Sequence, residues 1–174
     1  MEKYILLIAL LYGLHISNSV AEDAPRFDNG ILTIPRVDTP EQIGQYQNVQ
    51  FKLSAEGHWE LLAATPAFQA LIDDITIQIL ESFPVQIHVQ VSGNLPTPCR
   101  ELGPIHQRFS DNFFEIAIHV TQLQTFVACA QVLEPFQTTI PLDVYGLPQG
   151  RYQVRVNDKS ANFELTADNL MNYD

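Results

Sequence analysis

Four histidines, His58, His88, His106 and His119, and two cysteines, Cys99 and Cys129, lie beyond residue 21 and are the first places to look for chemistry. Imidazole exchanges a proton or holds a transition metal near neutral pH more readily than any other side chain. By alternation, His88 and His119 both fall on the polar, outward phase of a strand. If those strands are neighbours in one sheet, the two rings approach each other and can share an ion. His58 precedes Trp59, the single tryptophan, and an imidazole beside an indole suits copper(I). His58, His88 and His119 are therefore a candidate metal set with copper as the candidate ion. The alternative is surface histidines and no cofactor, with Trp59 filling a small core. No His-x-x-x-His or Cys/His spacing marks a known metal site.

Other reactive patterns are missing. There is no Gly-x-Ser-x-Gly elbow, no Gly-rich phosphate loop and no dinucleotide-binding glycine pattern. Asp and Glu are scattered, and Asp73-Asp74 reads as a solvated strand entrance. The expectation is a protein that is not an enzyme. Cys99 and Cys129 are an even pair in a chain read as exported, which predicts one structural disulfide. The stretch from Gly93 to Asp111 reads as a long loop pinned by Cys99. Its Arg100, His106 and Arg108 are a good share of the few basic residues on an acidic protein. That loop is a candidate surface for an acidic protein partner, against the simpler reading that the disulfide only tethers it.

These residues are held by segments that alternate with period two, which predicts strands rather than helices. Ile31–Val37, Val49–Leu53 and Trp59–Leu61 read as a small antiparallel meander. Residues 65–73 read as a helical turn, with Thr65 as cap and Pro66 in the first position. Further alternating sets run from Ile75, Val85, Phe114, Phe136, Tyr152 and Ala161. Gly93-Asn94 and two prolines end the second of these, and Asn157-Asp158-Lys159-Ser160 makes a hairpin between the last two. Pro35 and Pro141 place their strands at sheet edges. Short strands at regular spacing predict a β-sandwich. The expected organisation is a leader over 1–21, a meander over 22–64, a connector over 65–74, a sandwich over 75–167 and a frayed polar tail over 168–174. The fold class expected is all-β, an immunoglobulin-like antiparallel sandwich with a small N-terminal β-meander.

Leu147-Pro-Gln-Gly-Arg-Tyr152 followed by Gln-Val-Arg-Val-Asn157 resembles the late corner and last hairpin of bacterial immunoglobulin-like sandwiches. That likeness implies that Tyr152 packs under the corner and hydrogen-bonds back to it. The cysteines depart from the antibody pattern, because no Trp lies between them. Four further stretches resemble small exported bacterial proteins without an assigned activity. They are Leu32-Thr-Ile-Pro-Arg-Val37, Tyr46-Gln-Asn-Val49, Ser82-Phe-Pro-Val-Gln86 and Thr139-Ile-Pro-Leu-Asp-Val-Tyr-Gly-Leu-Pro148. This second likeness implies architecture and export rather than chemistry.

The chain starts with Met1-Glu2-Lys3, an apolar run from Tyr4 to Ile16, and small residues at Ser19 and Ala21. This predicts a signal peptide cleaved after Ala21 and a periplasmic or secreted protein. The apolar run is short of the roughly 20 residues that span a bilayer, so no membrane insertion of the mature chain is expected. Twenty acidic and nine basic residues give a net charge of −11. Such a surface repels nucleic acid. The expected role is non-catalytic binding or assembly with an unidentified protein partner, and the alternative is periplasmic copper binding.

Overall fold

The computed structural model describes residues 24–122 and 128–171. The expected signal peptide and cleavage point therefore lie outside the described residues. Among the described residues there are eleven strands and no helix. Strands β1 (Arg26–Asp28), β2 (Ile31–Val37), β3 (Tyr46–Leu53) and β4 (Trp59–Pro66) form one antiparallel sheet in the order β1-β2-β3-β4. This is the expected meander with one short strand added. Strands β5 (Leu71–Leu80), β6 (Gln86–Leu95) and β9 (Glu134–Leu142) form a second sheet in the order β5-β6-β9. Strands β7 (Arg100–Ser110), β8 (Phe113–Gln122), β10 (Gly150–Val156) and β11 (Lys159–Leu165) form a third, ordered β11-β10-β8-β7.

The core lies between the second and third sheets. Ile87, Val89 and Val91 of β6, with Ile140 and Leu142 of β9, pack with Ile116 and Ile118 of β8, Val154 and Val156 of β10, and Phe163 of β11. Each fully buried side chain of this kind contributes roughly 1.5–3 kcal/mol of transfer free energy. The chain is all-β, and its C-terminal part is a β-sandwich. Every neighbouring pair of strands is antiparallel except β8 with β10, which run parallel over Phe113–Ile116 and Gln153–Val156. The anticipated corner is present: the Tyr152 hydroxyl donates to the Pro148 carbonyl at 2.6 Å.

Several expectations need correcting. Residues 65–73 contain no helical turn; Thr65 and Pro66 finish β4 and Leu71 already begins β5. The alternation of the two strands simply continues, and only 67–70 connect them. The stretch from Gly93 to Asp111 is not a long loop. β6 runs on to Leu95, and Arg100–Ser110 is the edge strand β7. Its period-two signal is broken at Gly103-Pro104, where the register with β8 shifts between Leu102 and Ile105. The polar tail is anchored at its start. Asn169 is buried, donates to the carbonyls of Val85 and Val144, and accepts the Val85 amide at 2.6 Å.

Pro141 does sit on an edge strand, β9, and Pro35 lies past the end of β1, where that side of β2 is unpaired. Trp59 does not fill a core: it is 49% exposed, with its ring edge-on to Phe27 at 6.0 Å.

Candidate functional site

The proposed histidine set does not converge. His58 sits in the exposed turn before β4. His88 is on β6 and pairs across to Pro141, in the second sheet. His119 is on β8 in the third sheet, and it is fully buried rather than outward. Alternation failed there because β8 is covered on both faces. One face packs into the sandwich core. Against the other lies the connector between β2 and β3, whose Ile43 and Gly44 are themselves buried. A Cβ on Gly44 would stand 2.8 Å from His119 Nε2 and 3.1 Å from His106 Cδ2. Only a glycine, here with φ +61°, lets the backbone pass that close.

The histidine that His119 does meet is His106 of β7, with ring centroids 5.3 Å apart. Arg36 Nη1 lies 2.9 Å from His106 Nδ1. An arginine can only donate, so Nδ1 accepts and the His106 ring is neutral with its proton on Nε2. Arg36 Nε also contacts Asp38 Oδ1 at 3.1 Å, and that oxygen accepts the Gly44 amide at 2.8 Å. Neither ring nitrogen of His119 has a hydrogen-bond partner of good geometry. Burial holds its pKa below the ordinary 6.5, while the backbone at Ile43 and Phe68 and the Asp38 carboxylate pull upward. Beside a guanidinium, this pair is poorly placed for a cation. Among the described residues no three His, Cys, Asp or Glu side chains gather closely enough to hold a metal ion.

The basic residues of the supposed loop are likewise spoken for. Arg108 donates to the carbonyls of Thr39 at 3.1 Å and Pro40 at 3.3 Å, and to the buried Glu115 carboxylate. Arg155 reaches the same carboxylate at 2.7 Å. Arg100 lies over the Phe68 ring at 5.9 Å. His106 and Arg108 therefore tie the N-terminal sheet's connector to β7 and β8. Arg100 opens β7 beside Cys99, which is bonded to Cys129.

The feature that sequence reasoning missed is a surface. The register places Phe27, Leu32, Phe51 and Leu61 in one row across β1–β4, and Leu53 with Trp59 in the next pair. All six point to the same face. Arg26, Asp28, Lys52 and Glu60 alternate onto the other. Yet Phe27 is 61%, Leu61 60% and Leu53 43% exposed. No described strand of the sandwich pairs with this sheet. The signal was legible strand by strand as alternation, but only the register shows that the exposed apolar side chains stand together at one end of a face whose other end, at Val49 and Arg36, meets β7.

Residues 89–165, from within β6 to the end of β11, match the ORF11 β-sandwich domain. An uncharacterized 10.2 kDa protein from the HgiCIIM 5′ region of Herpetosiphon aurantiacus is 31% identical over 96 residues, covering 99% of its own length and 55% of this chain. The chain belongs to the family of that protein. Two further relatives from the same organism, uncharacterized 10.2 kDa proteins of the HgiBIM and HgiEIM 5′ regions, are each 34% identical over 85 residues, 100% of their length and 48% of this chain. No solved structure matches. The ORF11 β-sandwich match excludes β1–β5, so the apolar face belongs to a part of the chain outside that domain.

Proposed function

We propose that this chain is an exported, non-catalytic binding or assembly protein whose contact surface is the apolar face of the N-terminal sheet. One observation carries the reading: Phe27, Leu53, Trp59 and Leu61 stand exposed beside one another on one face of this sheet. A sheet of this kind gains stability by burying that face against another layer, and an exposed apolar patch on a soluble domain marks an interaction site. The non-catalytic part is supported by the histidine seam, where His119 is sealed from solvent and His106 accepts from Arg36. Export is supported by the charged start, apolar run and small residues of the first 21 positions, and by the Cys99–Cys129 disulfide. The copper alternative gains no donor set from this geometry.

The test is site-specific photo-crosslinking in the cells that make the protein, with a benzophenone side chain placed at Leu61 or at Glu60. Adducts to protein from position 61 and not from position 60 are expected. No adduct at 61, or equal yields at both positions, would overturn the choice of this face.

A further inference from the structure

Resting on that reading, we propose that the occupant of the apolar face is the same face of a second copy of this chain, related by a two-fold axis. The first argument is charge. Across β1–β4 the ionisable side chains that flank the row Phe27–Leu32–Phe51–Leu61, namely Arg26, Asp28, Lys52 and Glu60, alternate to the far side of the sheet, and Arg36, further along the same face, is engaged with His106 and Asp38. Two copies meeting there desolvate no charge and leave no buried ion unpaired. A lipid surface fits less well, because a chain of net charge −11 is repelled by anionic headgroups.

The second argument is where the charge sits. Residues 24–66 hold three basic and five acidic side chains, so most of the net −11 lies elsewhere, chiefly on the sandwich. A pair joined through the N-terminal sheets brings together the parts of the two chains that carry little of that charge. The third argument separates face from edge. β4 is the outer strand of its sheet, but its register against β3 shifts between Gln50 and Phe51, leaving Leu62 unpaired as a bulge. A bulge spoils the regular row of N–H and C=O groups that strand addition needs. Packing face on face needs no such row, and two twisted sheets stack in this way with their strands about 30° apart and the layers about 10 Å apart. The patch is self-complementary by the symmetry of such a pair.

Taking about 150–250 Å² for a large apolar side chain, the partly exposed Phe27, Leu53, Trp59 and Leu61 present on the order of 400 Å² per copy. That is below the ~800 Å² per partner of a stable standard interface. The association expected is therefore weak and populated only at high local concentration.

Trp59, the single tryptophan, lies within the face and reports on its burial. The experiment is sedimentation velocity of the purified full chain from about 1 to 200 μM, a range bracketing a micromolar Kd, with tryptophan emission and acrylamide quenching on the same samples. The expected result is a mass rising from one copy to two, with emission shifting to the blue and quenching falling over the same range. Leu61→Asp, at an exposed position, should abolish all three changes, and Glu60→Gln on the opposite face should leave them intact. A one-copy mass at every concentration with a freely quenched Trp59 overturns self-pairing and leaves the binding reading standing. A one-copy mass with Trp59 shielded throughout means that the chain covers its own face, and both readings fall. Concentration-dependent pairing that survives Leu61→Asp moves the interface elsewhere and overturns the proposal.

Discussion

Asn157 is the residue whose removal the structure prices most clearly. It opens the two-residue turn between β10 and β11 with φ +50°, a conformation asparagine tolerates better than most side chains. Its amide oxygen accepts from the Ile118 N–H at 2.9 Å, and its amide nitrogen donates to the carbonyls of Ala70 at 2.8 Å and Ile118 at 3.1 Å. Those partners belong to buried residues. β10 pairs with β8 only as far as Ile116, and beyond it Ala70 N–H reaches the Ile118 carbonyl, so Asn157 spans the junction of two neighbours of β8. Asn157→Ala removes three hydrogen bonds at about 1 kcal/mol each and adds a left-handed alanine at about 1 kcal/mol. The expected loss is about 4 kcal/mol. Asn157→Gly relieves the backbone cost alone and should lose about 3 kcal/mol, before the entropy cost of roughly 0.5–1 kcal/mol that glycine brings. Urea unfolding followed by circular dichroism measures both, the midpoint reporting stability and the slope checking that the unfolded state is unchanged. A loss below about 1 kcal/mol for Asn157→Ala would refute the reasoning, because the Ile118 amide and the Ala70 carbonyl cannot lose these bonds so cheaply.

The buried His119 gives a pH dependence. Its folded pKa lies below the unfolded 6.5, so the unfolded chain binds more protons as pH drops and acid costs stability. The stability is full above about pH 6.5 and is lost as pH falls from there toward the folded pKa; urea midpoints at pH 7.5 and 5.5 should differ in the native chain and differ less in His119→Leu, and identical differences would disprove the assignment. Gly44→Ala combines φ +61° with a Cβ 2.8 Å from His119 Nε2, and should destabilise by about 2–3 kcal/mol from strain and overpacking; a neutral effect on thermal unfolding would show that the connector yields. Tyr152→Phe deletes the hydroxyl bonded to Pro148 and should cost about 1–1.5 kcal/mol in the same assay, with no change expected if the corner does not depend on that bond. Cys99 and Cys129 are 30 residues apart, so reduction should cost about 3–4 kcal/mol by loop-closure entropy, and an unchanged urea midpoint in reductant would contradict that.

The strands that carry clean alternation could be read directly, from Val49–Leu53 of β3 to Ala161–Leu165 of β11, because one apolar face per strand is what a two-layer fold demands. The corner tyrosine was legible for the same local reason, a turn with an aromatic at fixed spacing. β7 was not, since Gly103-Pro104 throws Leu102 and Ile105 out of phase and the remainder is rich in charge. His119 was misplaced because alternation assigns every second residue to solvent, whereas β8 is roofed by residues forty or more positions away in sequence. The apolar sheet face was half legible. Its residues could be named from the sequence, but whether a layer covers them is a tertiary fact that no spacing encodes.

The parallel joint between β8 and β10 has a consequence for the order in which the molecule is made. Phe113 pairs with Gln153, forty positions later in the chain, and the intervening β9 belongs to the opposite layer. Neither strand can find the other by turning back on itself, as each does with its hairpin partner β7 or β11. Closing either hairpin brings together near neighbours in the chain, whereas this joint closes a loop of forty residues at a higher entropy cost. Chains dominated by such distant pairings acquire their native state in milliseconds to seconds rather than microseconds. Until the joint forms, Phe113–Ile116 of β8 have only β7 as a strand partner.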